Sequence, residues 1–387
     1  MTVIGARNAP DIVDVVALGE SMVTFLPTRP GRLADVPSFE RTIGGAESNV
    51  ACVLATAGHS ARWVSRVGAD GFGRHLVERI AGYGVDTSAV RTDATRPTGI
   101  YFRTAADRAT DAHEVAYYRA GSAASAMAVD NVDLAAVRAG RVLHLSGITP
   151  ALSEECLHLV RQLAKPAAGR PLMSFDVNYR PGLWHDPDGP EVLLELARGC
   201  DLVFVGTDEA EAAWGVTGGP ETIRALLPEP RVLVVKEGAR GATVFERDHG
   251  GERYPPAAGS RAAWGGTGGR GGTPQAPGCA THPWPTPAPG TFVPALAVDV
   301  VATVGAGDAF AAGFLSATLR GLPLRDRIRH GHLTAAATLT APGDLAAPPT
   351  RSHADRLAAL DDEAWGRLRL GPGWTQAEQA TEEANTP

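Results

Sequence analysis

The run VGAGDAFAAGFLSATL, Val304 to Leu319, places a Gly-X-Gly turn, an acid and the start of a small-residue helix side by side. Glycine lets a backbone bend tightly and approach a ligand, and the N–H groups at a helix N-terminus attract anionic oxygens. Gly305, Ala306 and Gly307 are therefore candidates for an anion hole, and Asp308 for a proton acceptor beside it. An acid in the first turn of a helix also serves as an ordinary cap, so this run needs company before it means chemistry.

A second group suits an acidic, hydroxyl-bearing ligand. Arginine offers a planar fork that matches a carboxylate, and tyrosine hydroxyls bond sugar hydroxyls. Tyr101, Tyr117 and Arg119 lie on strand-like runs, and the period-2 alternation of a strand sets Tyr117 and Arg119 on one face. Arg180 follows the run PLMSFDV, at a strand exit where open α/β sheets bind ligands. The chain has 34 Arg and 2 Lys, Lys165 and Lys236, so a single arginine carries little weight by itself.

Three strings occur in the order in which ribokinase-type (PfkB) carbohydrate kinases carry similar text. They are GGAESN (Gly44 to Asn49), DVNYRPGLW (Asp176 to Trp184) and GAGDAF (Gly305 to Phe310). The resemblance runs from about Val15 to Ser352. TGIYFRT, YYRAGSAAS and LHLSGITPALS are similar to stretches of 2-keto-3-deoxygluconate kinases, and fructokinase-like relatives carry comparable text.

The resemblance implies ATP-dependent phosphorylation of a sugar or sugar acid, with Asp308 as general base and also in contact with the sugar. It implies sugar contacts at Gly44, Gly45, Ala46, Asn49, Tyr101, Tyr117, Arg119 and Arg180. Nucleotide contacts are implied at Asn178, Arg180, Glu209, Lys236, Gly238, Gly241, Gly305 and Gly307. Mg2+ would arrive with ATP, held by phosphates and water, with no dedicated metal cage among the side chains. A fructokinase-like ketose kinase is the alternative enzyme, and a catalytically silent sugar or nucleotide sensor is the alternative of another class. An oxidoreductase is disfavoured because VVALGESM lacks the G-x-G-x-x-G turn.

Three positions depart from the family's pattern. Gly206 stands where an amide often precedes Glu209 by three residues, which weakens a metal- or phosphate-organising role for that acid. Ala302 stands where an Asp is common, which puts activation by a monovalent cation in doubt. His332 stands where an Asn is frequent, which leaves the adenine contacts open.

The elements that must hold these residues read as an α/β domain. VDVVALG, VLHLS, PLMSFDV, DLVFVG and RVLVVKEG alternate with Ala- and Leu-rich helical stretches, the pattern of βαβ units in a mostly parallel sheet. With the resemblance, this predicts a ribokinase-like fold, a central sheet flanked by helices with a small β lid. The core is expected at 11–20, 46–97 and 120–370, and an antiparallel lid at 21–45 and 98–119. Between residues 255 and 290, 17 of 36 residues are Gly or Pro, which reads as a flexible insertion. The polar tail 371–387 is expected to be disordered.

Composition removes other classes. A formal charge of −7 disfavours a general nucleic-acid binder, which needs a basic surface. Cys52, Cys156, Cys200 and Cys279 form no CxxC pair, so neither zinc nor a disulfide framework is implied. With no apolar run of about 18 residues and no secretory leader pattern, no membrane partner is expected and the cytoplasm is the expected compartment. The lid is a candidate surface for a homo-oligomer.

Overall fold

A computed structural model describes residues 11–104, 114–247 and 289–376. In chain order the first elements are β1 (Val13–Leu18), β2 (Met22–Pro27), β3 (Phe39–Gly44), α1 (Ala46–Thr56), β4 (Ala61–Val64), β5 (Arg66–Gly68) and α2 (Gly71–Gly82). Next come β6 (Arg91–Asp93), β7 (Ile100–Arg103), β8 (Val115–Tyr118), α3 (Leu134–Arg138), β9 (Gly140–Ser146), α4 (Glu154–Ala164) and β10 (Leu172–Asp176). The second half holds α5 (Gly189–Arg198), β11 (Leu202–Gly206), α6 (Thr207–Trp214), α7 (Pro220–Leu226), β12 (Val232–Lys236), β13 (Gly241–Glu246) and β14 (Thr291–Pro294). It ends with β15 (Ala297–Val298), α8 (Ala306–Leu319), α9 (Leu324–Leu339), α10 (Arg351–Ala358), α11 (Asp362–Arg367) and β16 (Arg369–Leu370).

The eight-stranded sheet runs β14-β13-β12-β11-β10-β9-β1-β4. Strands from β4 through β12 pair in parallel and the last two antiparallel. The five strand runs read from the sequence are its five consecutive central strands. Their Val, Leu and Phe side chains are buried on both faces, as the near-continuous apolar text requires. One core layer packs α4 and α5 against the sheet, and the other packs α1, α8 and α9 against its opposite face. Burying each such Val, Leu or Phe contributes about 1.5–3 kcal/mol.

β1 lies between β4 and β9, so the chain leaves it in both directions, a switch point where a crevice opens at the strands' carboxyl ends. Over it stands the four-stranded sheet β3-β2-β7-β8, at the positions expected of the lid. The expectation of an antiparallel lid needs correction. β2–β3 and β7–β8 are antiparallel hairpin pairs, but the seam between them, β2–β7, is parallel because both strands run in the same direction.

The expected insertion lies outside the described residues except for 289–290. The strands either side of it pair antiparallel, Val244 opposite Thr291. The expected disorder of the tail is corrected at its start: Trp374 is buried and stands edge-on to His353. Its apolar ring outweighs the polar text around it. Residues 377–387 lie outside the described residues. Among the described residues no helix is long and apolar enough to cross a membrane.

Candidate active site

Gly305 caps α8 with φ +81°, a left-handed conformation that favours glycine. A Cβ there would stand 2.2 Å from the carbonyl oxygen of Asp344. The turn so formed starts α8 at Ala306, and the helix's leading N–H groups have no partner within the helix. Ala306 N–H makes only a long contact, 3.5 Å, to the Thr303 carbonyl.

Asp308 sits in the first turn of α8 and accepts a hydrogen bond from Asn49 Nδ2 at 2.8 Å. Asn49 belongs to the first turns of α1, so the bond ties two helix N-termini together. The other amide atom, Asn49 Oδ1, is buried without a partner, an acceptor ready for a ligand hydroxyl. Desolvation raises the Asp308 carboxyl to about 7, and Asp176 adds to the rise while Asn49, Lys236 and Arg180 oppose it. A carboxyl poised near neutral pH suits a general base.

Lys236 ends β12, and its Nζ donates to both oxygens of Asp176, at the end of β10, at 3.0 Å each. The same Nζ lies 3.6 Å from the place a Cβ on Gly307 would take. Burial would lower the Lys236 ammonium, but Asp176, Glu209 and Asp308 outweigh it and hold the group charged. Below it, His144 bonds Ser174 Oγ at 3.0 Å and is pushed down to about 4 by burial, so it is neutral. Glu209 accepts from Gly206 N–H at 2.7 Å and lies 3.8 Å from Arg180 Nη1. Arg180 itself is 53 % exposed.

The lid reaches the same place through Asp344, a buried acid that follows α9. Tyr101 donates its hydroxyl to Asp344 Oδ2 at 2.7 Å, and Arg103 donates to Oδ1 at 2.5 Å. Since the Asp344 carbonyl packs on Gly305, one residue touches both the lid and the anion turn. Arg119 forms an ion pair with buried Glu20, which also accepts from Ser122 Oγ at 2.7 Å. Tyr117, 53 % exposed, stacks at a tilt on Tyr101 with ring centroids 5.3 Å apart.

This geometry brings a glycine turn at a helix N-terminus, a poised acid, a charged ammonium and a polar lid to one sheet edge. The sequence matches the pfkB family of carbohydrate kinases over residues 13–262 and 288–351. The chain belongs to that family. The kinase is 32 % identical to a 2-dehydro-3-deoxygluconokinase of Thermoproteus tenax, over 91 % of this chain and 96 % of that one. It is 29 % identical to fructokinase-2 of Zea mays, over 89 % and 94 %. A PfkB protein from Polaromonas sp. JS666 has the same fold, with a TM-score of 0.69 at 32 % identity, over 89 % of this chain and 99 % of that one. The protein is thus an ATP-dependent sugar kinase with a ribokinase-like fold.

Of the residues expected at the kinase's site, Gly305, Gly307, Asp308, Asn49, Lys236, Glu209 and Arg180 gather at the sheet's carboxyl edge. Gly44 and Gly45 lead into α1 beneath the lid, and a Cβ on Gly44 would stand 2.3 Å from the Tyr101 hydroxyl. Ala46 opens α1 and is buried. Asn178 follows β10 with φ +40°, a strained backbone of the kind that clusters at binding sites. Gly238 is exposed beyond β12.

Three expected site residues have other partners in the fold. Arg119 is not a bare fork for a carboxylate, because Glu20 already balances its charge. Gly241 is required by strand packing, since a Cβ there would stand 2.3 Å from the Val293 carbonyl oxygen. Lys236 is turned inward to Asp176, with its Nζ 3.6 Å from the Cβ position of Gly307. His332 is buried against Phe310 and bonded to the Val293 carbonyl at 3.1 Å, a core histidine. The residues that sequence reading missed are Asp176, Asp344, Glu20 and Arg103. Asp176 opens a quoted string and was within reach, whereas Asp344 lies in APGDLAAPP, which carries no signal.

Proposed function

We propose that the kinase transfers the terminal phosphoryl group of ATP to the 6-hydroxyl of 2-keto-3-deoxygluconate, with Asp308 taking the hydroxyl proton. The observation that carries this reading is Arg180: a half-exposed guanidinium after β10, 3.8 Å from Glu209 and close enough to act on Asp308 electrostatically. It offers a substrate carboxylate a charge-assisted bond at the mouth of the crevice. Asn49 Oδ1 and Tyr117 supply partners for hydroxyls. The likeness to a 2-dehydro-3-deoxygluconokinase supports the same choice.

A fructokinase-like activity is the second reading, favoured by the neutralised Arg119, which suits an uncharged ketose as well as an acid. A panel of sugars and sugar acids with ATP and coupled ADP detection separates the two. Preference for a neutral ketose would overturn the first reading, and no ADP with any sugar would favour a silent sensor.

Magnesium belongs to the proposal as a companion of ATP, supplying charge neutralisation to its phosphates. Both oxygens of Asp176 are held by Lys236 and one of Glu209 by Gly206, and among the described residues no group of three or more His, Cys, Asp or Glu could hold a metal. The donor set therefore does not fit a resident metal site. Buried, unpaired Cys52, Cys156 and Cys200 suit the reducing cytoplasm. Exposed Tyr117 and Tyr118 on the outer lid strand β8 suit a homo-oligomer formed through the lid.

A further inference from the structure

We propose that Lys236 is a catalytic cation of the phosphoryl transfer, its ammonium exchanging Asp176 for the oxygens of the phosphoryl group as that group passes to the sugar. This rests on the sugar-kinase reading above and deepens it. Placement is the first support. The Nζ stands 3.0 Å from both Asp176 oxygens and 3.6 Å from the Cβ position of Gly307, within the turn that receives the anion.

Charge is the second. Asp176, Glu209 and Asp308 all bear on this spot, so an incoming phosphate would meet a concentration of carboxylates. Lys236 is the ammonium on which all three of these carboxylates act. Charge at the equatorial oxygens is what phosphoryl transfer asks a protein to stabilise.

Residue choice is the third. The chain uses 34 arginines and 2 lysines, and Lys165 is exposed, bonded to Gln162. Apart from two histidine contacts, the other described ion pairs draw their cation from arginine. A lysine kept at the buried position implies a need for what arginine lacks. That is a compact point charge on a flexible stem, able to change partners by rotation, where a planar fork would lock onto Asp176.

In the step itself, the bond from the terminal phosphorus to the ADP oxygen breaks while the bond to the sugar oxygen forms. The hydroxyl proton passes to Asp308, and Lys236 keeps all its protons. The test uses the whole protein with Lys236→Met, reading kcat separately from KM for ATP and sugar. We expect kcat to fall about 10²–10³-fold with little change in either KM, the mark of a contact made in the transition state. Lys236→Arg should stay slow. Because Lys236→Met leaves Asp176 buried and unpaired, the charge-balanced Asp176→Asn/Lys236→Met protein is measured beside it, with melting curves to confirm folding. Wild-type kcat in either variant would reduce Lys236 to a structural partner of Asp176 and overturn the proposal. A wild-type protein that forms ADP with no sugar would remove the sugar-kinase reading and this inference with it.

Discussion

Replacing Asp308 by Asn should make the protein more stable and nearly inactive at once, and the gain should depend on pH in a defined direction. The carboxyl rises from an ordinary 3.8 to about 7 in the folded protein, chiefly through desolvation. Between those values the folded state binds more protons than the unfolded state, so stability falls as pH rises through this window. At 1.36 kcal/mol per pKa unit, ionised Asp308 costs at most about 4 kcal/mol at pH 8. Asp308 is only half-buried, and water at the mouth of the crevice reduces this to roughly 1–2 kcal/mol. Asparagine keeps an oxygen to accept from Asn49 Nδ2 and carries no charge to desolvate. We therefore expect the Asp308→Asn melting temperature to exceed wild type by roughly 2–5 °C at pH 8, shrinking toward zero at pH 4. Turnover should drop about 10²–10⁴-fold, and the acidic limb of kcat/KM, centred near 7 in the wild type, should vanish. Melting scans at the two pH values and a pH–rate profile test both halves. A variant that melts no higher than wild type at pH 8, or that keeps turnover within tenfold, would refute the reasoning.

Arg180→Ala should raise KM for a sugar acid about 10- to 100-fold, the loss of one charge-assisted bond, with little effect on a neutral ketose or on melting. Equal KM effects on both substrates would argue against a carboxylate at Arg180. Arg119→Ala should instead lower stability by about 3–5 kcal/mol, since Glu20 is left buried and unpaired, which a denaturant titration reads directly. His332 is held down to about 4 by burial against an unfolded 6.5, so it favours unfolding as pH falls below 6.5. His332→Asn will lose packing at every pH, but its deficit against wild type should narrow by up to about 3 kcal/mol between pH 7 and pH 4. A constant deficit would mean His332 is not held neutral. Gly305→Ala meets the Asp344 carbonyl oxygen at 2.2 Å and φ +81°, so turnover and melting temperature should fall together. An unchanged melting curve would show that the turn relaxes freely.

The core of the fold was legible because the central strands are short apolar runs whose text admits little else. VDVVAL, LMSFD, LVFVG and VLVVK are buried on both faces, and the helices between them force parallel pairing. The lid's location was legible for the opposite reason, two stretches of strand text with no helix between. Its pairing was not, because the β2–β7 seam joins residues about 77 positions apart. Local pattern fixes hairpins and is silent about how two hairpins meet.

The site divides along the same line. Gly305, Gly307 and Asp308 are contiguous, so their chemistry is written in one string. Asn49 and Asp308 are 259 positions apart and meet only because α1 and α8 start at the same sheet edge. Partners of this kind change what a residue can do. Arg119 reads as a free cation until Glu20, from the turn between β1 and β2, is placed against it. Lys236 reads as a loop residue until the pairing of β10 with β11 and β12 sets its ammonium over Asp176. Asp344 lies in a loop that no periodicity marks, and only the fold puts its carboxylate on the lid and its carbonyl on the anion turn. A stretch of sequence reports what a residue is able to donate or accept, while its charge balance is set by neighbours brought from elsewhere in the chain. At this site Glu20 balances Arg119 and Asp176 holds Lys236 beside the Gly307 turn, while Arg180, 3.8 Å from Glu209, keeps half of its side chain exposed.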